Sequence, residues 1–546
     1  MQGLMMDVPL LIKSIVLHAE LNHANQEVVS VTVDHPRHRY TYKDCFRRAR
    51  QLAKSLDALG VPNGARIATV AWNDFRHLES YFGIACSGRV YHTINPRLFA
   101  DQLVYIINHA EDEWIFTDVA FVPLLEGIAQ QCPSVKGYVV MIGETHMPAT
   151  TLPNVHCFET LLSAQSADYE WPDFNENTAS GLCYTSGTTG NPKGALYSHR
   201  STMLHTYAHS LPDVLNLSAL DTILPVVPMF HVNAWGIPFS APFIGLKLVM
   251  PGPKLSDPKV LVDLINQEGV TLGAGVPTVW SPVLQYVKDS GRSLKPMVRA
   301  GTGGSACPVS MMQEFRDEHG VEVQHAWGMT EMSPIGSANS PKPASMRLSQ
   351  AEKDELFKSV GRPVPGVEVK IVDDAGKELP WDGIAFGSLM VRGYWVIREY
   401  YKPDRPGAAH DTDGWFETGD VATIDAEGFI RITDRTKDVI KSGGEWISSI
   451  ELENAAVAHP AVAEAAVIGV YHPKWQERPL LLVVKTVGQE ATKEELLHWF
   501  NGRVAKWWIP DDVVFIDAMP YTATGKISKL ILREKIGDYQ FPGSAV

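Results

Sequence analysis

Between about residue 40 and residue 300, short apolar runs rich in β-branched residues alternate with longer segments of helical periodicity. The run RIATVAW at 66–72 precedes HLESYFGIACSG, and KLVMPG at 247–252 precedes PKVLVDLINQEG. A strand that leads into a helix and then into another strand is the repeating unit of α/β proteins. The order therefore predicts a large domain built on mainly parallel sheets.

The pattern changes near residue 355, where VEVKIVDD, GSLMVRG and GFIRITDR read as strands separated by turn residues. This stretch, about 355–433, predicts a β-rich subdomain. Beyond it, ISSIELENAAVAH and KEELLHWFNGRVA have helical character, whereas EAAVIGVYH, PLLLVVK and DDVVFID read as strands. We expect an α/β plus α+β protein with a large domain at 1–433, a hinge at 434–437 and a small mobile C-terminal domain at 438–546, called the lid below.

Composition narrows the function classes. A chain of 546 residues exceeds the size at which one core keeps growing, so several domains are expected. The 48 basic and 62 acidic side chains give a net charge of −14, which disfavours nucleic acid as a partner. No apolar run is long enough for an integral membrane segment. Asp7 and Lys13 interrupt the apolar start of the chain, so it does not read as a secretion signal and we expect a cytoplasmic protein.

The six cysteines show no paired short spacing, so neither a zinc site nor a disulfide framework is predicted. They are read as small buried hydrophobic residues.

The segment YTSGTTGNPKG at 184–194 has the chemistry of a polyphosphate cradle. Thr185, Ser186, Thr188 and Thr189 supply hydroxyl groups, Gly187 permits a tight backbone turn, and Lys193 adds a positive charge. It is not a Walker A loop, because Lys193 is followed by glycine and not by serine or threonine. The competing interpretation is a surface turn rich in glycine and threonine.

Five further segments follow the cradle in order: GGSACP at 303–308, HAWGMTE at 325–331, DGWFETGD at 413–420, DRTKDVIKSGGEWIS at 434–448 and PYTATGKISK at 520–529. Together with the cradle they resemble the motifs of the adenylate-forming (AMP-binding) superfamily, and the whole pattern is most similar to bacterial medium-chain fatty acyl-CoA synthetases and methylmercaptopropionate–CoA ligases. The resemblance implies ATP and CoA as substrates, Mg²⁺ as cofactor and an acyl-adenylate intermediate. It also makes a homodimer an option.

The resemblance assigns roles residue by residue. It implies that Thr185 and Glu331 hold magnesium, that Thr330 donates to the α-phosphate, and that Lys526 of the lid stabilises the adenylation transition state. For adenine it implies the residues Gly303, Gly304, Ser305, His325, Ala326 and Trp327, the last standing where the family usually has tyrosine. For ribose it implies Asp420 and Arg435. Lys437 matches the hinge position, while Lys441 and Trp446 would serve nucleotide or thioester-stage groups after the lid has rotated.

An aromatic stretch, PVVPMFHVNAWGIPFSAPFIG at 225–245, can line a channel for an aliphatic acid. By resemblance His231 lies near the reacting carboxylate and Trp235 gates an acyl tunnel. Gly275 and Trp280 in GVPTVW are expected to form another wall.

Several alternatives to the medium-chain fatty acid ligase stay open at this point. The acid could be a short thioether or branched acid, the acyl group could be passed to a carrier protein, or the protein could be a non-catalytic sensor on this fold. Taken singly, Trp327 fits a core position and Lys526 a solvated surface charge.

Overall fold

The structure is a computed structural model that describes residues 1–185, 191–403, 410–443, 445–522, 526–537 and 539–542. The side chains of residues 445 and 446 are outside this description. Within the described part, no helix is both long enough and apolar enough to cross a membrane.

The described strands are β1 (Glu27–Ser30), β2 (His38–Thr41), β3 (Arg66–Val70), β4 (Val90–Thr93), β5 (Trp114–Thr117), β6 (Gly137–Val140), β7 (Val155–Cys157), β8 (Ala179–Tyr184), β9 (Gly194–Ser198), β10 (Thr222–Pro225), β11 (Lys247–Met250), β12 (Leu272–Gly275), β13 (Arg299–Thr302), β14 (Glu322–Gly328), β15 (Ile335–Ala338), β16 (Arg362–Pro363), β17 (Val367–Val372), β18 (Phe386–Gly393), β19 (Phe416–Ile424), β20 (Ile430–Arg435), β21 (Ile440–Ser442), β22 (Glu445–Ile447), β23 (Val462–His472), β24 (Gln476–Lys485) and β25 (Asp512–Phe515).

The described α-helices are α1 (Lys13–Asn22), α2 (Tyr42–Ala58), α3 (Phe75–Ala85), α4 (Ala100–Ala110), α5 (Val122–Ile128), α6 (Phe158–Ser163), α7 (His199–His209), α8 (Ile237–Ile244), α9 (Pro258–Glu268), α10 (Pro277–Ser290), α11 (Val309–His319), α12 (Gln350–Leu356), α13 (Ser449–Val457), α14 (Lys493–Trp499) and α15 (Lys529–Ile536).

Two large sheets form the frame of the N-terminal part, as the alternating pattern predicts. One has seven strands in the order β7-β6-β5-β3-β4-β8-β9 and is parallel except for β9. The other has nine strands in the order β16-β15-β14-β13-β12-β10-β11-β1-β2, and its six inner strands from β14 to β1 are parallel. Ligands bind in such folds beyond the carboxyl ends of parallel strands, which directs attention to the residues after β8, β13 and β14.

Helix α3 joins the two sheets through a shared core. All eleven of its residues are buried, and its hydrophobic side chains pack in one cluster with strands of both sheets. Its charged residues are paired: Arg76 Nη2 lies 2.8 Å from Asp34 Oδ2, and Arg48 Nε from α2 lies 2.7 Å from Glu79 Oε1. Buried charges need such partners, so this polar layer is a structural part of the domain.

The β-rich stretch and the lid each have a sheet of their own. Strands β17 to β20 form a four-stranded antiparallel sheet, and the lid has five strands in which β25 pairs in parallel with β24. Helix α14 is shorter than KEELLHWFNGRVA predicts, because the chain leaves the helix at Trp499 and Gly502 takes a φ of +74°. A residue with that φ does not continue a right-handed helix.

Contacts at the end of β20 connect the lid to the subdomain. The Ser449 N–H at the start of α13 donates to Asp434 Oδ2 at 2.7 Å, and the Ser448 hydroxyl donates to the Thr433 carbonyl. Asp434 is 1% exposed, and burial raises its pKa. The hinge at 434–437 and the domain boundaries stay predictions. The two hydrogen bonds lie at the first residue of the predicted hinge and the residue before it.

Candidate active site

A cavity of about 720 Å³ is lined mainly by residues of the large domain, and among the described residues the lid contributes Lys526. Its wall includes Thr185 and Lys193 from the phosphate cradle, Trp327 and Glu331 from the turn after β14, and Lys526 from the lid. The structure thus brings together residues from motifs that are up to 341 positions apart. The cavity opens where the carboxyl ends of β8, β13 and β14 meet, as expected for a parallel α/β fold.

The base of the phosphate cradle is closed by two hydrogen bonds. The Thr185 N–H donates to the Lys193 carbonyl at 2.9 Å, and the Lys193 N–H donates to Thr185 Oγ1 at 3.2 Å. Since Oγ1 accepts here, the hydroxyl proton of Thr185 can still be donated to another group. The predicted cradle residues Ser186, Gly187, Thr188 and Thr189 lie outside the described residues.

The carboxylate of Glu331 is buried and has a protein donor. Glu331 is 6% exposed, and the Tyr400 hydroxyl donates to its Oε1 at 2.6 Å. Burial raises the pKa of Glu331, while the hydrogen bond from Tyr400 and the charges of Arg435 and Lys193 act in the opposite direction. Lys193 Nζ stands 5.0 Å from the centre of the Tyr400 ring. Glu331 lines the same cavity as Thr185, and a carboxylate and a hydroxyl are oxygen donors of the kind that suit Mg²⁺.

The side chain of Asp420 contacts two residues of the cavity wall. Its Oδ2 accepts a hydrogen bond from Trp327 Nε1 at 2.9 Å, and its Oδ1 lies 2.8 Å from Arg435 Nε. Trp327 and Arg435 line the cavity, whereas the side chain of Asp420 keeps 5% exposure. The two residues predicted for ribose are therefore paired with each other and with the residue predicted for adenine.

Two titratable groups, Lys526 and His231, line the cavity. Lys526 is exposed as a residue but lines the cavity, where desolvation lowers the pKa of its amine to about 8 and Arg435 adds to the effect. Asp420 and Glu331 oppose this shift of the Lys526 pKa. Burial lowers the pKa of His231 to about 4, and Lys526 contributes to the decrease. At neutral pH the imidazole of His231 is uncharged next to a lysine that is mostly protonated.

The other end of the cavity is lined by His209, Leu215, Val232, Trp235 and Gly301. Beneath it the chain makes a left-handed turn, with φ values of 37° at Val232, 56° at Asn233, 46° at Ala234 and 58° at Trp235. Such angles are disfavoured in residues other than glycine by roughly 1–2 kcal/mol each.

The left-handed turn is held by buried hydrogen bonds of Asn233. Tyr81 OH lies 3.3 Å from Asn233 Oδ1, and Asn233 Nδ2 donates to Tyr91 OH at 3.3 Å. Tyr81 OH also donates to the Met229 carbonyl at 2.6 Å. These bonds fix Trp235 and His231 relative to helix α3 and strand β4, so the turn sets the shape of this end of the cavity.

Other predicted residues have mixed placements. Gly303, Gly304, Ala326 and Thr330 line the cavity, while Ser305 is exposed outside the lining and His325 is buried behind it. Gly275 and Trp280 are not among the described residues that line this cavity, so their role as another wall stays a prediction. A methyl group on Gly275 would lie 2.5 Å from Val226 Cγ2 and 2.9 Å from Trp280 Cε2, so the ring of a core tryptophan lies beside the missing side chain.

Lys441 of the lid and Lys437 of the predicted hinge are not in the cavity lining in this arrangement. Lys441 is exposed on β21, and its N–H donates to Glu477 Oε2 at 2.9 Å. Lys437 lies between β20 and β21, and Arg533 Nη2 lies 3.5 Å from its carbonyl. The side chain of Trp446 is outside the described residues. Their proposed roles require the lid to move.

Sequence reasoning missed Tyr400 and His209. Tyr400 stands in REYYKPD, an aromatic pair between charged residues that has no motif-like spacing. His209 ends helix α7, where its Nδ1 is 3.2 Å from Ser240 Oγ, and burial lowers its pKa to about 4. The position of His209 in the last turn of a helix was the one signal in the sequence. Histidine is also common at helix ends that have no functional role.

Comparison with known proteins agrees with the geometry. Residues 18–401 match the AMP-binding enzyme family and residues 451–526 match the AMP-binding enzyme C-terminal domain. A medium-chain-fatty-acid–CoA ligase of Ectopseudomonas oleovorans is 52% identical over 98% of each chain. A 3-methylmercaptopropionyl-CoA ligase of Ruegeria lacuscaerulensis is 50% identical over 98% of this chain and 99% of its own.

Solved structures support the same fold. An anthranilate CoA ligase in complex with anthranoyl-AMP superimposes with a TM-score of 0.85 at 24% identity, covering 97% of this chain and 98% of that one. ATP-bound MatB from Rhodopseudomonas palustris gives a TM-score of 0.81 at 25% identity, covering 97% and 99%.

Proposed function

Because this chain belongs to the AMP-binding enzyme family, we propose that it is an AMP-forming acid–CoA ligase. In the first step a carboxylate oxygen attacks the α-phosphorus of ATP, and the bond to pyrophosphate breaks to leave an acyl-adenylate. In the second step the CoA thiol attacks the acyl carbon, loses its proton, and AMP departs. The acyl group thus ends as a CoA thioester.

The observation that carries this proposal is the meeting of Lys193, Glu331 and Lys526 around one cavity. Adenylation brings two anions together, and their repulsion must be offset by positive charge placed where negative charge develops. Lys193 and Lys526 supply that charge from opposite domains. Thr330 lies on the same wall and can donate to a phosphate oxygen. Thr185 and Glu331 would hold Mg²⁺, which neutralises phosphate charge.

The second step needs a different set of lid residues, so we propose that the lid rotates about 434–437. Lys526 would leave the cavity, and the β21–β22 hairpin that carries Lys441 and Trp446 would take its place. Closing the site in two ways protects the mixed anhydride from water and later admits the thiol.

For the acid we propose a medium-chain fatty acid. The relative with that activity is 52% identical and the cavity end contains Leu215, Val232 and Trp235. The second candidate is methylmercaptopropionate, favoured by a relative that is 50% identical and by the presence of His209 at the same end.

Further proposals concern setting and assembly. We propose a role in fatty acid metabolism, a cytoplasmic location and no nucleic-acid partner, the last because of the net charge of −14. A homodimer is proposed by resemblance alone.

The experiment is a panel of aliphatic, thioether and aromatic acids assayed with ATP, Mg²⁺ and CoA, with AMP and acyl-CoA resolved by mass. Formation of both products with an aliphatic acid is the expected result, and greater turnover with methylmercaptopropionate would select the second candidate. AMP formation that depends on a carrier protein and not on CoA would replace the ligase by a carrier-loading enzyme. Binding of ATP without pyrophosphate release across the panel would contradict enzymatic function.

A further inference from the structure

The indole ring of Trp327 is fixed at both of its ends. A methyl group on Gly336 would lie 2.6 Å from Trp327 Cζ3, so the six-membered ring occupies the space that the missing side chain leaves. At the other end the Nε1–H donates to Asp420 Oδ2 at 2.9 Å. The ring can therefore neither slide nor turn without losing a packing contact or a hydrogen bond to a carboxylate.

The carboxylate of Asp420 is held by two donors, one on each oxygen. Arg435 Nε lies 2.8 Å from Oδ1, opposite the indole on Oδ2. A carboxylate accepts about four hydrogen bonds, so these two donors, the ones that the described part of the chain supplies, leave two positions for a ligand. Only 5% of the side chain is exposed, so a modest rotation of the carboxylate would hide the edge that another molecule can reach.

From this geometry we propose that Trp327 is a positioning residue for the ribose of the nucleotide. Its N–H orients Asp420 so that the free edge of the carboxylate accepts from the ribose hydroxyls, and its ring face meets the adenine. The inference rests on the proposed function and adds that recognition of base and sugar is coupled through one side chain.

The donor is specific to tryptophan at this place. Phenylalanine keeps an aromatic face but has no donor, and tyrosine carries its hydroxyl at the far tip of the ring and not on the flank. A hydrogen bond to a charged group contributes more than one between neutral groups, and its loss leaves a buried carboxylate with one donor fewer. The effect of losing the N–H should consequently appear in ribose recognition and not only in stacking.

The test compares ATP with 2′,3′-dideoxy-ATP in the full-length enzyme and in Trp327→Phe. Adenylation is followed by acid-dependent pyrophosphate exchange, and nucleotide affinity by calorimetric titration. We expect Trp327→Phe to lower kcat/KM for ATP by about tenfold, the size of a charged hydrogen bond, and for the dideoxy nucleotide by less than about threefold.

Equal losses with the two nucleotides would show that Trp327 acts only as a stacking platform and would overturn the proposal. Tighter ATP binding by Trp327→Phe would also overturn it, because the indole would then compete with ribose. If the unmodified enzyme does not distinguish the two nucleotides, Asp420 has no ribose role, although ATP turnover with acid and CoA would still uphold the ligase function.

Two further variants guard against misfolding as the cause. In an Asp420→Asn background, Trp327→Phe should reduce ATP affinity by less than about twofold, since a residue that acts through Asp420 has no further effect once Asp420 is changed. Gly336→Ala should displace the ring and reproduce the selective loss with ATP. Thermal unfolding of each variant checks that the fold is kept, and an undiminished effect in the Asn background would count against the coupling.

Discussion

At the scale of single residues, the cavity changes the pKa of the Lys526 amine. Desolvation lowers its pKa to about 8, so the free enzyme loses this positive charge as the pH rises through that value. We predict that kcat/KM for adenylation falls above about pH 8. Bound ATP should raise the pKa of Lys526 again, so kcat should fall at a higher pH than kcat/KM.

Lys526→Arg is the matched control for this pH profile. A guanidinium stays protonated throughout the measurable range, so whatever activity this variant keeps should not decline above pH 8. A wild-type profile that is flat to pH 10, or an identical decline in the arginine variant, would show that another group titrates.

Tyr400 leads to a second prediction, on the metal dependence of the reaction. Tyr400→Phe removes a donor at 2.6 Å that orients a buried carboxylate, and loss of such a partner weakens the hold of the carboxylate on a cation. The change also removes one of the groups that lower the pKa of Glu331. We expect the Mg²⁺ concentration for half-maximal adenylation to rise by about tenfold. The loss of activity on the acidic side should begin at a higher pH, because Glu331 must be ionised to bind the ion.

Tyr394→Phe is the control for the magnesium titration. Tyr394 is 68% exposed, and the same hydroxyl is deleted without touching Glu331. An unchanged Mg²⁺ requirement in Tyr400→Phe would remove Glu331 from the proposed metal site.

The residue chemistry could be predicted only where it is local in sequence. Threonine, glycine and lysine within ten positions indicate an anion cradle by composition. The Glu331–Tyr400 and Trp327–Asp420 bonds join residues 69 and 93 positions apart, so no spacing rule reveals them. The role of Gly275 could not be decided from the sequence, because a small residue leaves room for a ligand and for a core side chain equally well.

At the scale of secondary-structure elements, the left-handed turn at 232–235 predicts that glycine is tolerated where a buried alanine now stands. Ala234 and Ala53 are both fully buried, but Ala53 lies in the right-handed helix α2. Each alanine-to-glycine change loses a methyl group, which costs about 0.8 kcal/mol. In α2 glycine costs about 1 kcal/mol more, whereas in the turn it relieves about 1 kcal/mol of backbone strain.

We therefore expect Ala53→Gly to lower the free energy of unfolding by about 2 kcal/mol and Ala234→Gly to change it by less than about 0.5 kcal/mol. Urea denaturation of the two variants measures the difference. Equal losses would mean that the turn is not strained as its φ values indicate.

The sequence pattern predicts most elements of the frame but not this turn. RIATVAW and PKVLVDLINQEG become β3 and α9, because their apolar spacing matches one local geometry. Val232 and Trp235 are residues that favour extended or right-handed backbone, and the opposite hand is imposed by Asn233 and two tyrosines that are distant in sequence. Tertiary contacts thus override local preference in a turn that lines the cavity.

At the scale of the whole molecule, the position of the lid predicts how the two half-reactions divide. Lys526 lines the cavity while Lys441 is exposed away from it, so this arrangement suits adenylation. Lys526→Ala should slow acid-dependent pyrophosphate exchange by about a hundredfold or more, yet leave transfer from supplied acyl-adenylate to CoA within about threefold. Lys441→Ala should show the reverse preference.

Single-turnover assays of the two half-reactions measure this division. The two lysine variants serve as controls for each other, because each removes one lid cation and keeps the second. Equal impairment of both steps by either variant would contradict the proposed rotation. The order of motifs along the chain predicts that these lysines belong to one mobile unit, but which of them faces the cavity depends on the packing of the lid.

The cavity joins residues of the large domain to Lys526 of the lid, and the two parts have separate hydrophobic clusters. This has a consequence for thermal unfolding. ATP bound in the cavity would contact both parts. Its binding free energy would then stabilise each part, and the interface between them, against unfolding. In scanning calorimetry we expect the enzyme without nucleotide to absorb heat in two overlapping endotherms. Saturating ATP, without acid, should draw them into a single sharper peak, whereas Lys526→Ala should keep them apart. If ATP raised the midpoint temperature of one endotherm only, the nucleotide would stabilise only one of the two parts.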